Sequence, residues 1–188
     1  MCAIKFWCVC VELPEMGCHF SICSIEEDSH KLLRDSACDA PMFTLAGQTF
    51  VARVISVYDG DTMTCVLMFH GIPQRFKVRV VGIDCPEMKP PLAQKNREDE
   101  KEAAKRARAR VVALVLGYSV TVDCNDVELL KANKKLVTLV CGNFDKYGRL
   151  LADVFPEQSL TPISQTLLSE GHAVLVGEAP RLHGEEVK

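Results

Sequence analysis

The chain has 188 residues, of which 48% are hydrophobic and 25% are Asp, Glu, Lys or Arg, a composition typical of one globular domain with an appendage and not of a disordered chain. Residues 1–45 carry 3 basic and 7 acidic side chains, whereas residues 46–188 carry 19 basic and 18 acidic ones. Because the larger part is nearly neutral, it attracts a polyanion weakly at long range, and nucleic-acid binding would require a local basic patch.

The first 42 residues form a Cys-rich extension with no sustained period, and residues 24–40 are predicted to be loop. An apolar run at the start is interrupted by Glu12 and Pro14, so it is too short to span a membrane and unlike a signal peptide. We therefore expect an intracellular protein with reduced thiols and no membrane association. The N-terminal cysteines lack paired zinc-ligand spacing, which favours structural thiols over a metal site or a regulated disulfide.

The sequence from residue 43 onward is predicted to fold as one domain. The stretches TFVARVISVYD, DTMTCVLMFH and QRFKVRVVGID alternate and are rich in β-branched residues, so they predict three strands joined by tight turns. The Asp59-Gly60 pair is the hairpin signal between the first two strands. In the third strand, Phe76, Val78 and Val80 share one face, and Lys77, Arg79 and Val81 share the other.

The second half of the domain predicts helices and further strands. CPEMKPPLAQKN must be loop, and REDEKEAAKRARARVVALVLG predicts a helix whose buried stripe contains Ala104, Ala107, Val111 and Leu114. YSVTVDC, LVTLVCG and RLLADVF predict strands, with a turn at NFDKYG. A final helix is expected from Thr161 as N-cap to Gly171 just beyond its end. The pattern predicts a mainly β, α+β domain: a five-stranded Greek-key OB-fold barrel with two or three helices. The strand and helix pattern alone does not exclude another α+β arrangement.

Polar residues cluster at the ends of predicted strands. The first cluster runs from Arg79 to Glu87, and the second from Asp145 to Arg149. Singly, these residues have structural explanations: Arg79 pairs with Glu87, Asp84 caps a loop, and Asp145 begins a turn. Together with Asp61, they place acids and arginines at three separated strand ends, a combination that no packing requirement explains. It favours phosphate chemistry, because guanidinium groups bind phosphate bidentately and hard cations prefer oxygen ligands.

The motifs DGDT, VRVVGIDCPE, EKEAAKRA, DKYGRLLADVF and LLSEGHAVL, in this order, resemble the staphylococcal nuclease (thermonuclease) family across roughly residues 48–178. The resemblance implies an OB-fold enzyme that hydrolyses DNA and RNA with one Ca²⁺ and leaves 3′-phosphate ends. The implied calcium ligands are Asp61, Asp84 and the backbone carbonyl of Cys85.

The resemblance also implies roles for the remaining residues of the two clusters. Glu87 would activate the attacking water, and Arg79 and Arg149 would stabilise the phosphoryl transition state. Lys146 and Tyr147 would line the phosphate pocket of a bound nucleotide.

The chain departs from the family's archetype at several positions. Cys85 stands where threonine is common, and its thiol would make activity sensitive to oxidation. Gly177 and Ala179 stand where the archetype has aromatic side chains. The link NDVELLKANKKLVTLVCGN is longer here, and Lys131, Lys134 and Lys135 either extend a nucleic-acid surface or solubilise a hairpin.

The leading hypothesis is therefore a Ca²⁺-dependent nuclease acting on single-stranded or frayed DNA and on RNA. The alternative is a catalytically silent nucleic-acid-binding or scaffold module of the same fold. The acidic N-terminal extension suggests a third role, which is to bind a protein partner or to block the site.

Overall fold

The computed structural model describes residues 22–36, 40–93, 95–157 and 159–177. The chain divides into two compact units between Phe43 and Thr44. The described helices are α1 (Ile22–Asp35), α2 (Arg97–Leu116), α3 (Asp126–Asn133) and α4 (Ile163–Ser169). The described strands are β1 (Thr49–Val57), β2 (Thr62–Phe69), β3 (Ile72–Val80), β4 (Ile83–Asp84), β5 (Leu136–Phe144), β6 (Leu150–Pro156) and β7 (Val174–Leu175).

The N-terminal unit contains helix α1, so the prediction of loop over residues 24–40 was wrong for most of that range. The helical stretch contains neither proline nor glycine, which are the residues that interrupt helices most strongly. Leu32 and Leu33 are largely exposed in this unit. The prediction that the N-terminal cysteines are structural thiols and not a zinc site concerns side chains of residues 1–23, which lie outside the described part of the chain. Binding of a partner by this unit stays a prediction.

The second unit is built on a closed barrel with the strand order β1-β2-β3-β6-β5. Strand β3 pairs with β6 in parallel, and the other barrel neighbours pair antiparallel. Alternate side chains such as Val54, Met63, Val78 and Leu139 fill the interior and are almost fully buried. The predicted OB-fold, mainly β with helices between and after the strands, is confirmed.

Helix α2 lies where the sequence predicted it. Acidic residues occupy its first turn, and Gly117 ends it in the left-handed conformation with φ of 80°, donating its N–H to the Ala113 carbonyl. This arrangement suits the helix dipole and a glycine C-cap. The buried face is wider than the predicted stripe, because Val112 and Val115 are also buried while Leu114 is only partly so.

The region between α2 and β5 differs from the prediction. YSVTVDC is not a strand but an irregular connection, and NDVELLKAN forms helix α3 instead of part of a hairpin. The side chain of Asn125 caps the helix by accepting a hydrogen bond from the Glu128 N–H. At the other end, Arg53 of β1 donates to the carbonyls of Leu130 and Lys131. The β-branched residues of YSVTVDC carry strand propensity, which the loop geometry overrides here.

The C-terminal part contains α4 and a small second sheet. The N-cap of α4 is Pro162 rather than the predicted Thr161, and Gly171 lies just beyond the helix end, as expected. Strand β7 pairs with β4, outside the barrel. Within the described residues, no helix is long and apolar enough to cross a membrane.

Gly60 is required for close packing and not for a left-handed backbone, since its φ is not positive. A Cβ at this position would lie 2.5 Å from the Cys85 Sγ and 2.9 Å from the Ala107 Cβ. The loop between β1 and β2 therefore rests directly on helix α2 and on the segment after β4.

We predict that Gly60→Ala destabilises the protein by about 1–3 kcal/mol, because the added methyl group overpacks this contact. The measurement is the free energy of unfolding in urea. Gly142→Ala is the matched control, since Gly142 also lacks a positive φ and its nearest contact would be 3.3 Å away. A cost at Gly60 no larger than at Gly142 would contradict this packing argument.

Candidate functional site

Asp61 is a buried carboxylate in the loop between β1 and β2, with only 4% of its surface exposed. Its Oδ1 accepts hydrogen bonds from the Thr62 hydroxyl at 2.8 Å and from the Arg79 guanidinium at 2.7 Å. Its Oδ2 accepts from the backbone N–H of Cys85 at 3.0 Å. A buried charge requires such partners, so Asp61 joins the loop to β3 and to the segment after β4.

Arg79 lies near the end of β3, at the centre of the site. Across the sheet it is opposite Thr62 of β2 on one side and opposite Leu151 of β6 on the other. Its guanidinium binds Asp61 and also the half-exposed carboxylate of Asp84. The predicted structural pairing of Arg79 with Glu87 is therefore replaced by a pairing with the two aspartates.

Glu87 follows β4 in the proline-containing loop. Its backbone N–H donates to the Glu100 carboxylate at 3.0 Å, and Glu100 is buried in the first turn of α2. Burial, followed by the negative charge of Asp61, raises the pKa of Glu87 against the opposing effect of Arg79. Glu100 was not predicted as a site residue. The sequence does show that it is the third acidic residue in the first turn of α2, where Glu98 and Asp99 already interact favourably with the helix dipole.

Arg149 is held by the turn between β5 and β6. Its Nε donates to the Asp145 carboxylate at 2.7 Å, and the same carboxylate accepts the N–H groups of Tyr147 and Arg149. Burial raises the pKa of Asp145, but these hydrogen bonds outweigh it and leave that pKa lowered. Gly148 closes the turn with φ of 75°. Asp145 thus starts a turn, as its structural explanation held, and also orients Arg149.

Five side chains from three separate segments line one cavity of about 450 Å³. They are Lys77, Arg79, Glu87, Tyr147 and Arg149. Lys77 was not predicted as a site residue, although its position two residues before Arg79 places both on the same face of β3. Lys146 does not line this cavity, and its Nζ lies 5.0 Å from the centre of the Tyr147 ring.

The model of the family described as staphylococcal nuclease homologue matches residues 77–186. The chain belongs to the staphylococcal nuclease family. Asp61 precedes the matched segment, and the barrel places it beside Arg79. A comparison with curated proteins found no match.

The oxygen donors of this staphylococcal nuclease homologue suit a hard divalent cation. The Asp61 and Asp84 carboxylates converge on one cationic group, the Arg79 guanidinium. Burial, followed by the nearby charge of Asp61, raises the pKa of Asp59 to about 7. Two carboxylates with a backbone carbonyl fit Ca²⁺, although no cluster of three His, Cys, Asp or Glu side chains occurs among the described residues.

The Cys85 thiol lies against Gly60 and is 9% exposed. Burial, reinforced by Asp61, raises the pKa of this thiol, which keeps it protonated and unreactive. The structure therefore gives little support to the expected sensitivity to oxidation. The described residues include four free cysteines: Cys65, Cys85, Cys124 and Cys141. Gly177 lies in a turn after β7, and Ala179 is outside the described residues.

We predict that Glu100→Ala lowers the free energy of unfolding by about 1–3 kcal/mol, because the Glu87 N–H loses its buried acceptor. Hydrogen exchange at the Glu87 amide should accelerate. Glu100→Gln is the control, since its side-chain carbonyl can still accept the bond and should restore most of the protection. Unchanged exchange in Glu100→Ala would show that the Glu87 loop is held by other contacts.

Proposed function

We propose that this protein is a calcium-dependent nuclease that hydrolyses phosphodiester bonds in RNA and in single-stranded or frayed DNA. The observation that supports this most directly is the shared cavity of about 450 Å³, because Arg79, Glu87 and Arg149 come from different segments and line the same space. A cavity with two guanidinium groups beside a carboxylate of raised pKa suits an anionic substrate and a water to be deprotonated.

Arg79 and Arg149 bind the scissile phosphate. Their guanidinium groups carry several N–H donors each and stabilise the negative charge that develops on the phosphoryl oxygens. Asp145 fixes the direction of Arg149 by accepting a hydrogen bond from its Nε, and one of the terminal nitrogens, Nη1, lies 3.5 Å from the Thr62 hydroxyl. Lys77 adds a positive charge to the same wall, and Tyr147 borders the bound nucleotide.

Glu87 accepts a proton from the attacking water as the water oxygen bonds to phosphorus. The bond from phosphorus to the 5′ oxygen breaks, that oxygen takes up a proton from solvent water, and a 3′-phosphate end remains. Asp61, Asp84 and the carbonyl of Cys85 would hold Ca²⁺. When bound, the ion supplies Lewis-acid polarisation of a phosphoryl oxygen and an additional positive charge near it.

One observation favours the alternative, a catalytically silent module of the same fold. The Arg79 guanidinium occupies the carboxylate oxygens that a cation would need, and it thereby satisfies the buried charge of Asp61 without metal. A protein in which this pairing persists would bind nucleic acid without cleaving it.

Glu87→Gln separates these two functions. We expect wild-type protein to cleave denatured DNA and RNA with Ca²⁺ but not with chelator, and Glu87→Gln to lower kcat by about 10²–10⁴-fold. Glu98→Gln, on the exposed part of α2, is the matched control and should cleave normally. Folded wild-type protein that binds these substrates but shows no calcium-dependent cleavage would instead identify the silent module.

Arg79→Ala tests whether Arg79 and calcium share ligands. Removal of a competing positive charge should raise the affinity for Ca²⁺ by about fivefold or more, roughly 1 kcal/mol. The calcium-free variant should also lose about 3 kcal/mol of stability, because Asp61 keeps a buried charge. Calorimetric titration and thermal unfolding measure these effects.

Arg79→Lys is the control for that experiment, since it keeps the charge and should change calcium affinity less. A calcium affinity that stays the same or falls in Arg79→Ala would place the cation elsewhere.

A further inference from the structure

A second cavity of about 500 Å³ adjoins the first. The two cavities share Lys77, Arg79, Glu87 and Arg149. The remaining walls of the second cavity come from the end of β1, the β1–β2 loop, the start of β2 and the start of α3, and they include Val57, Tyr58, Asp59, Thr62, Asp126 and Val127. A ligand held by the two arginines can therefore extend in either of two directions.

The walls of the second cavity are anchored. The buried carboxylate of Asp126 accepts the backbone N–H of Val57 at 2.9 Å, which joins the first turn of α3 to β1. The backbone N–H of Tyr58 donates to the Thr62 carbonyl at 2.9 Å. The Tyr58 side chain nevertheless remains 48% exposed. A half-exposed aromatic ring on a hydrogen-bonded backbone presents surface on which a base can stack.

The charges of the second cavity give a ligand one orientation. Its positive residues, Lys77, Arg79 and Arg149, lie at the part shared with the first cavity. Two carboxylates, Asp59 and Asp126, belong only to the second cavity. A phosphate is attracted to these three cations, which outnumber the Glu87 carboxylate in the shared part. Among the described residues that line only the second cavity there is no Lys or Arg, so that part suits an uncharged aromatic group better than a phosphate.

We propose that Tyr58 and Val127 form a subsite for a nucleobase. The first cavity, which contains Tyr147, holds the nucleoside on one side of the scissile phosphate, and this subsite holds the base of the nucleoside on the other side. This subsite rests on the proposed function, since each phosphate of a nucleic-acid strand has a nucleoside on both sides. Stacking on an aromatic ring accepts any base, so the subsite binds without strong base preference. Helix α3 contributes Val127, an apolar residue that lines the same cavity as Tyr58.

The test uses single-stranded oligothymidylates in which one linkage is an ordinary phosphodiester and all others are phosphorothioates that resist cleavage. The base on one side of that linkage, or on the other, is replaced by an abasic nucleotide. For the oligonucleotide without an abasic nucleotide, Tyr58→Ala should raise KM about 5- to 150-fold, the equivalent of the 1–3 kcal/mol that stacking contributes.

The abasic substitutions locate the effect. Wild-type protein should lose affinity when the base is removed from either side, whereas Tyr58→Ala should be insensitive to removal on one side only. Tyr58→Phe keeps the stacking surface and should behave like wild type. Val127→Asp should raise KM because it adds a negative charge and removes the apolar wall.

Tyr118→Ala is the matched control, because Tyr118 is exposed to a similar degree, 45%, and lines neither cavity. Thermal unfolding verifies that each variant is folded. If wild-type protein cleaves and Tyr58→Ala has the wild-type KM, the subsite is refuted while the proposed function stands.

If wild-type protein cleaves none of these substrates, the proposed function fails and binding decides the subsite. The probe is then the fully phosphorothioate oligothymidylate, followed by fluorescence anisotropy. Weaker binding by Tyr58→Ala than by Tyr118→Ala supports the subsite, and equal binding refutes it.

Discussion

The buried carboxylate of Asp61 is the interaction on which the site depends. Removal of a charge from water costs several kcal/mol unless hydrogen bonds and an opposite charge replace the solvent. Here the replacements come from three places along the chain: Thr62, Arg79 and the backbone of Cys85. To satisfy one carboxylate, the fold must therefore bring the β1–β2 loop, the end of β3 and the segment after β4 together. The stability of this region and the geometry of the candidate site have the same origin.

Strand order supplies the second part of the site. Strand β3 pairs with β2 on one side and, in parallel, with β6 on the other. The residue just before β6 is Arg149, so this pairing brings a second guanidinium to the cavity that contains Arg79. The hydrogen bonds of Asp145 then fix its direction. The two arginines are distant in sequence, and the barrel brings them together.

Much of the barrel was predictable because its physical signals are local. Alternation in β1, β2 and β3 reports which side chains face the interior, and Gly117 reports where α2 ends. Helix α3 was missed because its neighbourhood combines β-branched residues with a short helical stretch stabilised by Arg53, which is distant in sequence. Gly60 was predicted at a turn for conformational reasons, yet its requirement is contact with Cys85 and Ala107. Contacts between residues that are distant in sequence cannot be predicted from a local sequence pattern.

Motif order and periodicity depend only on neighbours along the chain, so the family, the barrel and the residue types available for phosphate chemistry were predictable without a structure. The folded structure sets which of those residues meet. It paired Arg79 with two aspartates instead of Glu87, brought Lys77 into the cavity, and set α3 beside Tyr58. These outcomes depend on pairing between distant strands and on the cost of buried charge, and both are properties of the folded chain as a whole.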